Sequence, residues 1–269
     1  MAEKRPSLLV FAYVCSPTMG TEPGAGWGVI AALDTFADVT VITGSRYIDE
    51  IREWARHHPD TAVRFVEVSD RKLGPLLRWH RIPEFMYYLT WLRRARKRAE
   101  ELLAEQDFDV AMHVTFSVFW LPAPAVALGL PSVWGPVGGG VTTPQSLRPL
   151  LGVAGRIQEY LDYASVRLMA AIPASRRTAL AATERILQNE ETRAMLPAAA
   201  RGRSRILNHA LFSVVPKSPA EEDGRYVLWV SAMESRKGPR LALEALARTR
   251  DDVRLKMVGD GPQRKELER

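Results

Sequence analysis

The residues best placed to do chemistry lie in short glycine-rich stretches behind apolar runs. Ser16 to Gly28 contains Gly20, Gly24, Gly26 and Gly28 and is followed by a helical pattern. Glycines let a backbone come close to a ligand, and free N–H groups at a helix start favour an anion. Gly24 and Gly26 therefore read either as part of a phosphate cradle or as a bare tight turn. The dinucleotide fingerprint is not met: a third glycine would fall at Val29, and Thr43-Gly44-Ser45 stands where a ribose-binding acid is expected. His113 closes an apolar run, and ligands of open α/β sheets gather at the carboxyl ends of strands. A substrate-facing imidazole and a satisfied structural histidine both fit. Gly138, Gly139 and Gly140 form a second loop, or a simple chain reversal, behind Ser132 to Trp134. Arg236-Lys237-Gly238 reads as a cation at a helix start or as a solvated turn, and Gly259-Asp260-Gly261 as a strand-to-helix turn.

The elements that position these residues alternate. Strand-like runs fall at Leu8 to Cys15, Val39 to Thr43, Val63 to Val68, Val110 to Val114, Ser132 to Trp134, Arg185 to Leu187 and Arg205 to Leu207. Helical patterns fall at Trp27 to Phe36, Ile48 to His57, Pro83 to Glu105, Val153 to Ala171 and Glu190 to Leu196. That rhythm predicts an α/β fold with a mostly parallel sheet covered on both faces. Ser213 to Arg225 loses periodicity and gathers Pro and acidic residues, as a linker does. After it come a strand at Tyr226 to Val230, a helix at Pro239 to Arg248, a strand at Val253 to Val258 and a further helix opened by Gly261-Pro262. The expected division is a first domain over 1–212, a linker over 213–225 and the start of a second domain over 226–269. That last stretch is too short to close a two-faced core by itself, so the chain is expected to be a fragment of a longer protein.

Composition narrows the classes. With 269 residues, 46% apolar and 25% charged, the chain is an ordinary globular one. Cys15 is the one cysteine, and no Cys/His spacing matches a zinc site, so no metal is expected and the cytoplasm is the default compartment. The apolar run at Leu8 reads as a buried strand rather than a leader, because Glu3 and Pro6 interrupt its flank.

The net charge of +6 is unevenly spread. Nine Lys or Arg lie between Arg71 and Arg98 against Glu84 alone, interleaved with Trp79, Phe85, Tyr87, Tyr88 and Trp91. One reading sets Arg93, Arg94, Arg96, Lys97 and Arg98 against an anionic membrane surface, with the rings at its interface. The other makes a core-facing helix of Phe85, Tyr88, Leu89, Leu92, Ala95, Ala99 and Leu102, with the arginines as its solvated face. Nucleic acid ranks below both, since no recognition motif accompanies the patch.

Taken in order, Glu22-Pro23-Gly24-Ala25-Gly26-Trp27, Trp134 to Gly140, Ser235-Arg236-Lys237-Gly238 and Val258-Gly259-Asp260-Gly261-Pro262 resemble the family 4 glycosyltransferases, across almost the whole chain. The resemblance implies the GT-B architecture of two Rossmann-like domains. It also implies retaining transfer of a sugar from a nucleotide-sugar co-substrate to a polysaccharide, glycolipid or similar acceptor, with no permanently bound cofactor or metal. By resemblance, Lys237 is the phosphate-binding lysine, with Arg236 assisting. Gly26 faces the same phosphates, His113 lies near the transferred sugar, and Gly138, Gly139 and Gly140 line the acceptor or sugar side. Val141 and Ala232 depart from the pattern, standing where relatives often carry an acid and a phosphate-binding arginine. The paired glutamates that grip the donor in relatives would lie beyond Arg269, so little activity is expected of this chain alone. Two other classes remain: a non-catalytic acceptor- or lipid-binding module, and a nucleotide-dependent oxidoreductase or epimerase, against which the first loop argues. The expected location is the cytoplasm or its membrane face.

Overall fold

A computed structural model describes residues 4–69, 84–207, 226–249 and 252–268. Contacts divide the chain into two units, Met1–Val141 with Arg167–Val214, and Thr142–Val166 with Val215–Arg269. Residues 142–166, placed by the sequence within the first domain, thus group with the second unit. The expected linker, 213–225, lies outside the described residues.

The first unit is built on seven strands: β1 (Ser7–Ala12), β2 (Asp38–Thr43), β3 (Arg64–Glu67), β4 (Val110–His113), β5 (Ser132–Val137), β6 (Glu184–Leu187) and β7 (Ser204–Ile206). They pair in parallel in the order β3-β2-β1-β4-β5-β6-β7. Because successive side chains of a strand face opposite ways, β1 feeds two cores. Leu9, Phe11 and Tyr13 join one cluster, and Leu8, Val10 and Ala12 the other. A strand covered on both faces has no polar alternation, which is why Leu8 to Ala12 reads as a continuous apolar run.

Helices close both faces. Ile30 of α1 (Thr21–Asp34) and Ile51 of α2 (Ile48–His57) complete the second cluster. The long α3 (Glu84–Glu105) completes the first with Tyr88, Trp91, Leu92, Ala95, Ala99 and Leu102. The core-facing reading of the aromatics is therefore the observed one for Tyr88 and Trp91, both fully buried and unable to lie at a lipid surface. The chain continues through α4 (Gly152–Ala170), α5 (Pro173–Ala181), α6 (Glu190–Met195) and α7 (Ala198–Arg201). Asn189 caps α6 by accepting from the Thr192 N–H at 2.8 Å.

In the second unit β8 (Tyr226–Val230) and β9 (Arg254–Val258) pair in parallel in register, flanking α8 (Pro239–Leu246), and α9 (Arg264–Leu267) follows. Among the described residues no helix is long and apolar enough to cross a membrane.

Candidate functional site

The strand order reverses between β1 and β4, and the loops leaving their carboxyl ends meet at that edge of the first unit. After β1, Ser16 organises the turn. Its Oγ accepts from the N–H groups of Thr18 and Met19 at 3.2 and 3.0 Å and donates to Glu50, while Thr18 Oγ1 donates to the same carboxylate at 2.7 Å. This fold-back starts α1 at Thr21, six residues before the Trp27 expected from periodicity. Gly24 and Gly26 therefore lie inside the helix, where their N–H groups belong to its ladder; by position the free donors are those of Gly20, Thr21 and Glu22. The two glycines answer to packing. A Cβ on Gly24 would stand 2.2 Å from the Met19 carbonyl, and one on Gly26 2.5 Å from Thr115 Cγ2 and 2.9 Å from the Val14 carbonyl.

After β4 the chain turns sharply through Phe116, whose φ of 54° is rare for a side chain of that size. Thr21 shares this left-handed conformation, with φ 57°. The turn is held from the other side: the Phe116 N–H donates to the Glu22 carboxylate at 2.8 Å.

His113, expected beside a sugar, is instead sealed in the core. It is 1% exposed, its ring stacks 6.1 Å from Phe11, and Nε2 lies 2.9 Å from the Tyr88 hydroxyl. Nδ1 faces the Thr115 backbone without reaching hydrogen-bond geometry. Burial pushes the imidazole pKa down to about 3, so the ring is neutral near pH 7 and shares one hydrogen bond with the phenol through Nε2. Burial, with the nearby Glu22 charge adding to it, holds the Tyr88 phenol well above its ordinary range.

The triple glycine is also packed. A Cβ on Gly138 would meet the Gln188 amide at 2.7 Å, one on Gly139 the Trp120 ring at 2.5 Å, and one on Gly140 the Thr192 backbone at 2.5 Å. The Gly138 N–H donates to the Ser117 carbonyl at 2.8 Å and the Gly140 N–H to Thr192 Oγ1 at 3.1 Å. The Gly138 and Gly140 donors are thus engaged inside the fold.

Two of the five basic side chains on α3 are paired with acids of the same helix. Arg96 pairs with Glu100 at 2.9 Å, Arg98 with Glu101 at 2.9 Å and Glu105 at 3.5 Å, and Arg94 donates to the Ser69 carbonyl at 2.8 Å. Arg93 and Lys97 have no ion pair among the described residues. Arg71, Lys72, Arg78, Trp79 and Arg81 lie outside the described residues.

In the second unit, Ser235–Lys237 form one 3₁₀ turn, Gly238 takes the left-handed conformation (φ 64°, ψ 41°), and Pro239 opens α8 at a favoured first position. A cavity of about 190 Å³ opens there, lined by Lys237, Gly238, Arg240 and Gln263 with Thr143 and Leu147. Lys237 is exposed, Arg240 pairs with Glu266, and Gln263 donates to Ser235 Oγ at 3.0 Å while its own carbonyl oxygen is buried without a partner. Gly259 and Asp260 are exposed, and Gly261 is half-buried. The strand-to-helix turn they form runs along Ser231 and Met233 so closely that a Cβ on Gly259 would stand 1.8 Å from the Ser231 carbonyl. Asp260 accepts from the Gly261 N–H at 2.8 Å and lies 3.8 Å from Arg264.

Sequence reasoning missed Glu22 as the latch of the Phe116 turn, although an acid in a helix's first turn was a readable signal. It also missed Arg185, a 3% exposed arginine of β6 whose guanidinium donates to the carbonyls of Ala179, Leu180 and Ala182 at the end of α5, and to that of Arg203.

No protein-family model matches the chain, and no curated protein matches it. Solved structures do. One is "UGT89C1" of Arabidopsis thaliana complexed with UDP-L-rhamnose, at 12% identity and TM-score 0.52, covering 97% of this chain and 71% of that one. Two others are "LpCGTa" in complex with UDP, at 13% identity and TM-score 0.45 over 95% and 71% of the two chains, and the calicheamicin glycosyltransferase "CalG4", at 14% identity and TM-score 0.44 over 85% and 57%. At such identities the likeness speaks for fold, and the first of the three carries it. With a parallel seven-stranded sheet and a second parallel α/β unit, this chain has the GT-B type of Rossmann-like fold.

Proposed function

We propose that the protein is a glycosyltransferase that takes its sugar from a nucleoside diphosphate donor. The observation that carries this reading is the cavity at Lys237, an ammonium with no ion pair among the described residues, beside a left-handed glycine and the start of α8. Breaking a glycosidic bond to a diphosphate releases negative charge on the leaving oxygens. A fixed cation and oriented N–H dipoles stabilise that charge more than they stabilise the intact donor. Support also comes from the fold shared with a protein whose structure contains UDP-L-rhamnose.

In this reading Lys237, assisted by Arg236, holds the diphosphate, and the Gly259-Asp260-Gly261 turn forms part of the donor side. The first unit supplies the acceptor side, for a polysaccharide, glycolipid or similar molecule. Its glycines Gly24, Gly26, Gly138, Gly139 and Gly140 act by allowing close packing, and His113 acts by holding Tyr88 behind the Phe116 turn. The four motifs that resemble family 4 make retention the expected stereochemistry. Peripheral membrane contact, if it accompanies catalysis, falls to Arg93 and Lys97.

Calorimetric titration of UDP into the 269-residue chain tests the donor site. The wild-type chain is expected to bind saturably, and Lys237→Ala to weaken binding by about 10- to 100-fold, the loss of one charge-assisted hydrogen bond. No binding by the wild type, or equal binding by the variant, overturns the assignment. With a turned-over donor, the anomeric proton coupling in the product distinguishes retention from inversion.

A further inference from the structure

The first unit holds a cavity that the sugar-transfer reading does not use. It has a volume of about 340 Å³ and lies between the middle of α3, the segment Pro122–Ala127 and the end of α5. Two helices face it with the same spacing. On α3, Leu92 turns inward with Arg93 and Arg96; on α5, Arg177 stands with Thr178 and Ala181 one turn on. The floor is apolar, with Leu92, Ala123 and Pro124 buried beneath it.

The three arginines are exposed and belong to the lining, which brings three positively charged side chains to an apolar hollow. Of the three, Arg96 has a carboxylate partner, Glu100; Arg93 and Arg177 have none among the described residues. Like charges gathered from two helices around a pocket raise its potential and favour an anion. Planar guanidinium groups match a carboxylate or phosphate bidentately. An apolar floor gives such an anion nothing polar to bind, and so calls for a ligand that is apolar behind its head. The volume lies at the small end of the ~300–1,000 Å³ typical of ligand pockets, enough for one slender molecule.

We infer that this cavity binds a monomeric single-chain amphiphile, its chain against Leu92, Ala123 and Pro124 and its anionic head among Arg93, Arg96 and Arg177. The site involves none of the residues assigned to the donor, so it stands or falls separately from sugar transfer. It also differs from a helix lying flat on a bilayer, which would use the consecutive arginines of α3 and leave Arg177 idle.

Titration calorimetry with dodecyl phosphate, kept below its micelle concentration, tests the site on the full chain. One-to-one binding is expected. Arg93→Gln with Arg177→Gln should weaken it at least ~10-fold, as loss of charge-assisted contacts does. Ala127→Trp, which fills the hollow from an exposed position, should abolish it, with thermal melting of each variant confirming that it folds. Equal affinity for dodecyltrimethylammonium, unchanged affinity in the double variant, or binding to phosphatidylglycerol vesicles with none to the monomer would each overturn the inference.

Discussion

The carboxylate of Glu22 accepts the backbone N–H of Phe116 at 2.8 Å, tying the first turn of α1 to the loop after β4 across the point where the strand order reverses. Two left-handed non-glycine residues, Thr21 and Phe116, flank this bond. Such conformations cost of order 1–3 kcal/mol each and persist only when their surroundings hold them. Glu22 is one such restraint. It also sets an anion of the protein's own at the start of α1, the place where a ligand phosphate would otherwise be favoured.

Replacing Glu22 by Ala leaves the Phe116 N–H without its acceptor and should cost about 1–3 kcal/mol of unfolding free energy. Glu22→Gln keeps a carbonyl oxygen in place and should cost clearly less. Urea denaturation of both variants measures the difference. Equal losses would mean that the carboxylate acts through its charge and not through this hydrogen bond.

The buried His113 makes stability depend on pH. Its folded-state pKa is pushed down to about 3, against about 6.5 in the unfolded chain. Above pH 6.5 both states are neutral at this ring. Between there and pH 3 the unfolded state binds one more proton, so this group lowers the unfolding free energy by about 1.4 kcal/mol for each unit that the pH falls. The loss ends near pH 3, where the folded ring protonates too. The His113 ring resonances should stay unshifted from pH 8 to pH 5 in NMR titrations; a midpoint near 6.5 would show the ring to be solvated and would return it to a substrate-facing role.

The strands were legible because a parallel sheet covered on both faces writes itself as separate apolar runs. Every run named from Leu8 to Leu207 overlaps an observed strand, with ends that differ by up to three residues, and Ile48–His57 is a helix to the residue. The start of α1 was not legible. Pro23, Gly24 and Gly26 carry no helical periodicity, and the helix begins there because Ser16 and Glu50 fold the preceding loop back. Short α5 was missed for want of periodicity, though Pro173 at its first position was a usable mark. The glycines were identified as special, but their reason was hidden: a contact such as Gly139 against Trp120 depends on the pairing of β4 with β5. Counting charges between Arg71 and Arg98 also misjudged α3, since Glu100, Glu101 and Glu105 sit just past that window and pair back onto it.

Gly26 and Thr115 should be energetically coupled. An alanine at Gly26 would bring its Cβ within 2.5 Å of Thr115 Cγ2, and overpacking of this kind costs about 1–3 kcal/mol. Thr115→Ser removes that methyl yet keeps the hydroxyl that accepts the Val14 N–H at 3.2 Å. The double variant should therefore be more stable than the sum of the single losses predicts, by roughly 0.5–3 kcal/mol. The Val14 carbonyl, 2.9 Å from the same Cβ, keeps the rescue partial. Simple additivity in denaturant unfolding would show that the clash is relieved by movement of α1 instead.

Arg185 supplies a side chain where α5 lacks a glycine stop. Its guanidinium donates to the carbonyls of Ala182 at 2.6 Å and Leu180 at 3.1 Å, and also to that of Ala179, so one fork satisfies several of the acceptors that a helix end leaves open. Burial lowers its pKa, partly offset by Glu184, yet a guanidinium stays charged through the ordinary pH range. Lysine is a poor replacement here: its single ammonium cannot span acceptors that the planar fork reaches together. Arg185→Lys should cost about 2–4 kcal/mol, the loss of charged hydrogen bonds together with carbonyls left buried and unpaired. It should also speed amide hydrogen exchange in α5 ahead of the strands around it. A loss below about 0.5 kcal/mol, the range of ordinary surface substitutions, would mean that water already serves those carbonyls and that the arginine does not close the helix.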